Sequence, residues 1–258
     1  MSKLTITTIQ SSLYWEDIDA NLNMFTEKLS HFSGKTDLII LPEMFTTGFS
    51  MDTENVSETM EGKSVNWMRS QAKDHNAALM GSLIIKDNGK CYNRLVCMYP
   101  SGEYVTYDKR HLFTLAKEHE YFQAGKEKLV FEYKGWKICP LICYDLRFPV
   151  WSRNTEDYDL LVYMANWPAT RNHHWKTLLM ARAIENQSYC VGVNRVGKDK
   201  MDLYYSGDTT VIDFTGNLIY QVANTEDIFT TTLSKEKMDA FRSKLNFLPD
   251  RDTFEIMK

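Results

Sequence analysis

The chain has 258 residues, 43% of them hydrophobic and 13% aromatic, enough apolar material for a well-buried core and too much for a disordered or fibrous protein. Its formal net charge is only -4, with both signs interspersed, so no cationic field exists to neutralise a phosphate backbone and nucleic acid is an unsuitable partner. The opening MSKLTITTIQ lacks the apolar stretch of a secretory signal, and no run is long enough to span a membrane. Five cysteines without a CxxC pair fit neither a disulfide framework nor a zinc site. A reducing cytoplasm is the expected compartment.

Leu4 to Gln10 alternates like a strand, and Ile18, Leu22, Phe25, Leu29 and Phe32 then recur at helical spacing. Asp37 to Glu43 is a short apolar run ended by Pro42, as expected of a strand buried on both faces. Val65 to His75 can form a helix. ALMGSLII, the turn Asp87-Asn88-Gly89, RLVCMYP and EYVTYDK suggest successive strands, the first two joined as a hairpin. Leu129 to Tyr133, the Lys134-Gly135 turn and Trp136 to Cys143 form a second hairpin pattern, and Leu160 to Ala165 is a further strand. A helical stretch through Trp175, Leu178, Leu179, Arg182 and Ile184 precedes strands at Tyr189 to Val196, Thr210 to Phe214, Leu218 to Val222 and Ile228 to Leu233, and a last helix starts near Ser234. Strands and helices interleave throughout without a linker or repeat, which reads as one α/β domain over residues 1–258. Hairpins among the strands make the sheets mixed, and two stacked sheets faced by helices would bury these elements most economically.

Three segments share one layout, an apolar strand running into an ionisable group: LIILPE ending at Glu43, YVTYDK at Lys109 and ICPLIC at Cys143. Side chains at strand ends can converge although far apart in sequence, because the crevice beyond the carboxyl ends of an α/β sheet is where ligands bind. Spacing alone leaves two readings open, a catalytic set or an ordinary ion pair of Glu43 with Lys109 beside a core cysteine. Cys91, Cys97, Cys139 and Cys190 read as structural, since free cysteine is among the most buried types.

LPEMFTTGF, YDKRHLF and GWKICPLICYDLRFP together strongly resemble the Glu, Lys and Cys motifs of the nitrilase superfamily, in the family's order and at its usual distances. The resemblance continues through YDLLVYMANWP, HHWKTLLMARAIENQ, YCVGVNRVG and YYSGDTTVIDFTGNLI, so that it covers nearly the whole chain. It implies a four-layer αββα sandwich with mixed sheets and a homodimer or larger homo-oligomer. It also implies Cys143 as nucleophile, Glu43 as general base and Lys109 as the catalytic lysine. Glu118 in KEHEYFQAG matches a second glutamate that many members place before a glycine, here Gly125, although Glu120 is close.

These groups suit amide hydrolysis. A thiolate splits the reaction through an acyl-enzyme, a carboxylate relays the proton, and the oxyanion falls between Lys109 and the backbone N–H of Tyr144. No cofactor or metal is required. Histidine is the usual thiol activator, and His111 lies two residues beyond Lys109, but the resemblance makes it a structural hydrogen-bonder. His173 and His174 are adjacent on a helix and make a poor metal pair.

CYDLRFP, LPEMFTTGFSM and ANWPATR resemble the omega-amidase branch, whose substrates are short 2-oxo dicarboxylic acid monoamides. Arg147, Arg171 and Arg195 are candidates for the substrate carboxylate, with Arg171 favoured for the pocket and Arg147 expected to pair with a carboxylate near the nucleophile's turn. Phe45, Phe113 and Trp167 are the expected apolar walls. An N-carbamoyl amide hydrolase or another short-chain amidase would use the same Cys, Glu and Lys. An inactive relative serving as a binding protein would keep an unreactive thiol.

Overall fold

The computed structural model describes residues 3–31 and 34–256. Its elements follow in the order β1 (Lys3–Gln10), α1 (Ile18–Ser30), β2 (Leu38–Ile40), α2 (Thr53–Val56), α3 (Lys63–Asp74), β3 (Ala78–Asp87), β4 (Lys90–Met98) and β5 (Tyr104–Asp108). Then come α4 (Glu118–Tyr121), β6 (Phe131–Tyr133), β7 (Trp136–Ile142), α5 (Pro149–Ser152), β8 (Leu160–Ala165), α6 (Asn172–Asn186) and β9 (Tyr189–Asn194). The chain closes with β10 (Val196–Lys198), β11 (Tyr204–Ile212), β12 (Leu218–Ala223), β13 (Asp227–Ser234) and α7 (Lys235–Lys244).

The strands form two mixed sheets, ordered β13-β1-β2-β3-β4-β5 and β10-β11-β9-β8-β7-β6, with β12 also pairing β11. Strands pair in parallel through β1-β2-β3 and β7-β8-β9, where intervening helices supply the crossovers that parallel neighbours require. Asp17 caps α1 by accepting from Ala20 N at 2.9 Å, and its apolar stripe Leu22, Phe25 and Leu29 is buried.

Alternation along the strands then sorts the core into layers. Leu38 and Ile40 of β2 share one cluster with Leu4, Ile6, Leu95, Cys97 and the residues of β7 and β8. Ile39 and Leu41 join Leu79, Val96 and Met98 on the opposite face, against Phe25 and Leu29 of α1 and Val65, Met68 and Ala72 of α3. Each such large side chain contributes about 1.5–3 kcal/mol on burial. On the second sheet Trp175 and Leu179 of α6 lie so close to β9 that a methyl group at Gly192 would sit 2.6 Å and 2.4 Å from them. The result is the αββα sandwich. No helix among the described residues is long and apolar enough to cross a membrane.

Both two-residue hairpins follow from left-handed backbone: Asn88 and Gly89 have φ 48° and 76°, and Lys134 and Gly135 have φ 50° and 77°, the pattern of type I′ turns. Elsewhere the elements differ from the sequence pattern. Phe32, the last of the helical series, lies outside the described residues. Strand β2 is shorter than the run from Asp37 to Glu43, and Met44 at φ 44° then redirects the chain. Strand β11 begins at Tyr204, well before Thr210. A bulge between Gly207 and Thr209, with Asp208 at φ 60°, breaks the alternation that would have announced it.

Candidate active site

Glu43 follows β2, Lys109 follows β5 and Cys143 follows β7, all brought to one end of the two sheets. Lys109 and Glu43 are fully buried, as is Glu118 at the start of α4. Lys109 Nζ donates to Glu43 Oε1 at 2.9 Å and to both oxygens of Glu118 at 3.0 Å. Glu118 Oε2 also accepts from Phe113 N at 2.5 Å. Glu120 is exposed, 4.0 Å from Lys117, so Glu118 is the glutamate that reaches the lysine.

Two residues that motif reading passed over complete this cluster. Asn93 on β4 donates from Nδ2 to Glu43 Oε1 at 2.7 Å and to Glu118 Oε1 at 3.4 Å. Asn166, just beyond β8, donates from its backbone N to Glu43 Oε2 at 2.8 Å and from Nδ2 to the Glu43 carbonyl at 2.6 Å. The available signal was parity: Asn93 shares a strand face with Leu95 and Cys97, which point between the sheets, and a polar residue there needs a buried partner.

Cys143 has φ 43°, a left-handed conformation that costs a non-glycine residue about 1–2 kcal/mol. The turn is braced by the buried carboxylate of Asp145, which accepts from Ile142 N at 3.0 Å, Tyr107 Oη at 2.8 Å and His111 N and Nδ1 at 3.0 Å and 2.8 Å. His111 also stacks on Phe148 with ring centroids 3.7 Å apart. It therefore supports the turn that carries Cys143, and the lysine loop is tied to the same carboxylate on both sides of Lys109.

Burial opposes charge on the Lys109 ammonium, but Glu118, Glu43 and Cys143 outweigh it, so its proton is held more tightly than an ordinary lysine's. Glu118 is pushed up by burial, against the pull of Lys109 and with the help of Glu43. The Cys143 thiol is pushed well up by burial and the Glu43 carboxylate, Lys109 opposing, with a hydrogen bond to Glu43 and the charge of Glu118 adding to the rise. Cys143 Sγ lies 4.0 Å from the Asn166 carbonyl oxygen, beside the Glu43–Lys109–Glu118 cluster.

Cys143 is partly exposed, and the opening it faces is a cavity of about 580 Å³. Phe113, Tyr144, Trp167 and Arg171 line it, together with Trp15, Phe49, Met51 and Tyr205. Phe45 does not. It is fully buried among Phe25 and Trp67 at 5.6 Å and 5.7 Å, because the turn at Met44 sends it back beneath the first sheet; Phe49, 5.2 Å from Lys109 Nζ, is the phenylalanine at the wall.

Arg147 also departs from expectation. It lines the cavity over the Trp167 ring at 4.6 Å and 3.2 Å from His174 Nδ1, with no carboxylate partner among the described residues. The surrounding protein and the neighbouring Arg171 make its charge harder to hold. Arg171 lies over Phe113 at 5.5 Å. Arg195 is spent elsewhere, bonding the carbonyls of Val196 and Lys198 at 3.2 Å and 3.0 Å beneath Tyr205.

A thiol, two buried carboxylates and a buried ammonium at one end of an αββα sandwich define a cysteine-dependent hydrolase of carbon-nitrogen bonds. The chain belongs to the carbon-nitrogen hydrolase family, which it matches over residues 5–243. It is 44% identical over 257 residues to the omega-amidase YafV of Escherichia coli (strain K12), covering 99% of this chain and 100% of that protein. It is 32% identical over 253 residues to the 2-oxoglutaramate amidase of Bacillus subtilis (strain 168), covering 96% and 97% of the two chains. The crystal structure of XC1258 from Xanthomonas campestris, a CN-hydrolase superfamily protein with an arsenic adduct in its active site, superposes with a TM-score of 0.97 at 42% identity, covering 100% of both chains.

Proposed function

We propose that the protein is an omega-amidase that hydrolyses the terminal amide of 2-oxoglutaramate or 2-oxosuccinamate to the 2-oxo acid and ammonia. One observation carries the substrate class: the cavity onto which Cys143 opens contains two guanidinium groups, Arg147 and Arg171, without a carboxylate partner among the described residues. A short substrate with an amide at one end and a carboxylate at the other answers both demands. Phe113 and Trp167, stacked under these guanidiniums, form the walls. The similarity to the two amidases supports the same reading.

In this mechanism Cys143 Sγ attacks the amide carbon as its proton passes to Glu43, and the carbonyl electron pair moves onto oxygen. Lys109 and the N–H of Tyr144, whose position in the first turn of a 3₁₀ helix leaves it without a helical acceptor, stabilise that oxyanion. Donors of this kind each contribute about 2.7–4 kcal/mol. Glu43 returns the proton to nitrogen, the C–N bond breaks, and ammonia leaves a thioester. Water attacks the thioester with its proton going to Glu43, and collapse expels the thiolate, which regains the proton. Glu118 holds Lys109 in place and balances its charge. No step calls for a cofactor. We further infer one domain over residues 1–258, a homodimer or larger homo-oligomer, and a reducing cytoplasm that keeps the free cysteines reduced.

The test is ammonia release from 2-oxoglutaramate beside glutamine, asparagine, an N-carbamoyl amino acid and a simple nitrile, with wild type and Cys143→Ala. Turnover of the oxo-acid amide that vanishes in the variant supports the proposal. Silence on that substrate with turnover of another compound overturns the substrate assignment.

A further inference from the structure

The buried cluster behind Cys143 holds two carboxylates and one ammonium. Lys109 Nζ makes three contacts of 2.9–3.0 Å, one to Glu43 Oε1 and one to each oxygen of Glu118. To stabilise an oxyanion, Lys109 must turn at least one of these N–H groups away from a carboxylate. At that moment the two Oε1 atoms, both bonded to the same ammonium, lose part of the charge that holds them together in a fully buried cluster.

Asn93 is placed to meet this demand. Its Nδ2 donates to the same two Oε1 atoms, at 2.7 Å to Glu43 and 3.4 Å to Glu118. Its backbone carbonyl accepts from Lys109 N at 3.0 Å, fixing the root of the lysine from the neighbouring strand. The side chain is fully buried, and its Oδ1 has no hydrogen-bond partner among the described residues, so the carboxylates orient the amide. Glu43 Oε1 is thereby occupied twice, and Oε2, bonded to Asn166 N, is left with capacity to take the thiol proton.

We infer that Asn93 is a positioning residue for the hydrolysis: a neutral second clamp on the Glu43–Glu118 pair that lets Lys109 lend a proton to the oxyanion while Glu43 stays aimed at Cys143. The inference rests on the roles proposed for Glu43, Lys109 and Cys143. Neutrality matters because the charged groups that share these contacts are Glu43 after β2 and Glu118 on α4, which the amide touches, and Lys109 after β5, which touches the same two oxygens. A cation there would compete with Lys109, and an anion would be a third negative charge beside a single ammonium.

The test uses the full chain with Asn93→Ala, Asn93→Ser and Asn93→Asp, assayed well below each variant's melting temperature. For Asn93→Ala we expect kcat to fall about tenfold to hundredfold, the range seen when supporting partners of a reactive group are lost, with KM within about twofold because Asn93 does not line the cavity. Asn93→Ser should recover part of the loss through its hydroxyl donor. Asn93→Asp, though isosteric, should be the slowest at neutral pH and rise to and then above the alanine variant as pH falls, since only the protonated acid can donate as the amide does. A merely structural role predicts the reverse, with aspartate the best tolerated and no change of pH profile. The rate at which iodoacetamide alkylates Cys143 is measured in parallel. It needs no natural substrate, so a wild type that rejects 2-oxoglutaramate but whose alkylation falls in the order wild type, serine, alanine, aspartate leaves Asn93 in place and overturns the substrate only. Kcat and alkylation of the alanine variant within twofold of wild type, or aspartate equal to or faster than alanine at neutral pH, overturns the inference.

Discussion

Replacing Lys109 by Met removes the ammonium while keeping an unbranched apolar stem, and leaves Glu43 and Glu118 buried with their shared cation gone. Breaking a buried ion pair from one side costs about 3–5 kcal/mol, because the surviving charge stays uncompensated. At about 2–4 °C per kcal/mol for a chain of this size, the melting temperature should fall by about 6–20 °C. The loss should also depend on pH in a definite direction. Glu118 already binds its proton more readily than an ordinary carboxylate, because burial outweighs Lys109, and without the ammonium it will bind it more readily still. A carboxyl that holds its proton more tightly folded than unfolded stabilises the fold at low pH, and that stability is lost as pH rises through the folded value. Melting followed by circular dichroism from roughly pH 5 to pH 8 should therefore show the gap between Lys109→Met and wild type narrowing on acidification. A melting temperature within about 2 °C of wild type, or a gap that widens as pH falls, would refute the picture of a charged lysine neutralising two buried carboxylates. Activity should drop at least about a hundredfold, as for loss of an oxyanion donor.

Arg147→Met and Arg171→Met should each lower kcat/KM for 2-oxoglutaramate about tenfold to hundredfold, mostly through KM, since a hydrogen bond to a charged group is worth about 1.5–3 kcal/mol. Initial rates on an uncharged short amide should change little, and an equal loss on both substrates would remove the arginines from carboxylate recognition. Phe45→Ala should cost about 3–5 kcal/mol of stability in chemical denaturation while leaving KM unaltered, whereas Trp167→Ala should raise KM. A KM effect of Phe45→Ala as large as that of Trp167→Ala would return Phe45 to the cavity wall.

What the amino-acid sequence determined by itself was whatever depends on neighbours along the chain. The Asn88-Gly89 and Lys134-Gly135 hairpins were legible because their turns need left-handed backbone, β1 because it alternates, and β3 and β8 because apolar runs of that length bury as strands. The motifs carrying Glu43, Lys109, Cys143 and Glu118 could be read as family signatures. Tertiary structure alone decided what lies across a sheet or beyond a turn. Asn93 could be assigned to a face by parity, but its two carboxylate partners come from positions 50 and 25 residues away. Phe45 follows directly on a left-handed residue, Met44, which turns it into the core, and Arg147 ends the 3₁₀ turn that begins at left-handed Cys143. A rotation at one φ exchanges core for cavity, and no local pattern of hydrophobicity records it.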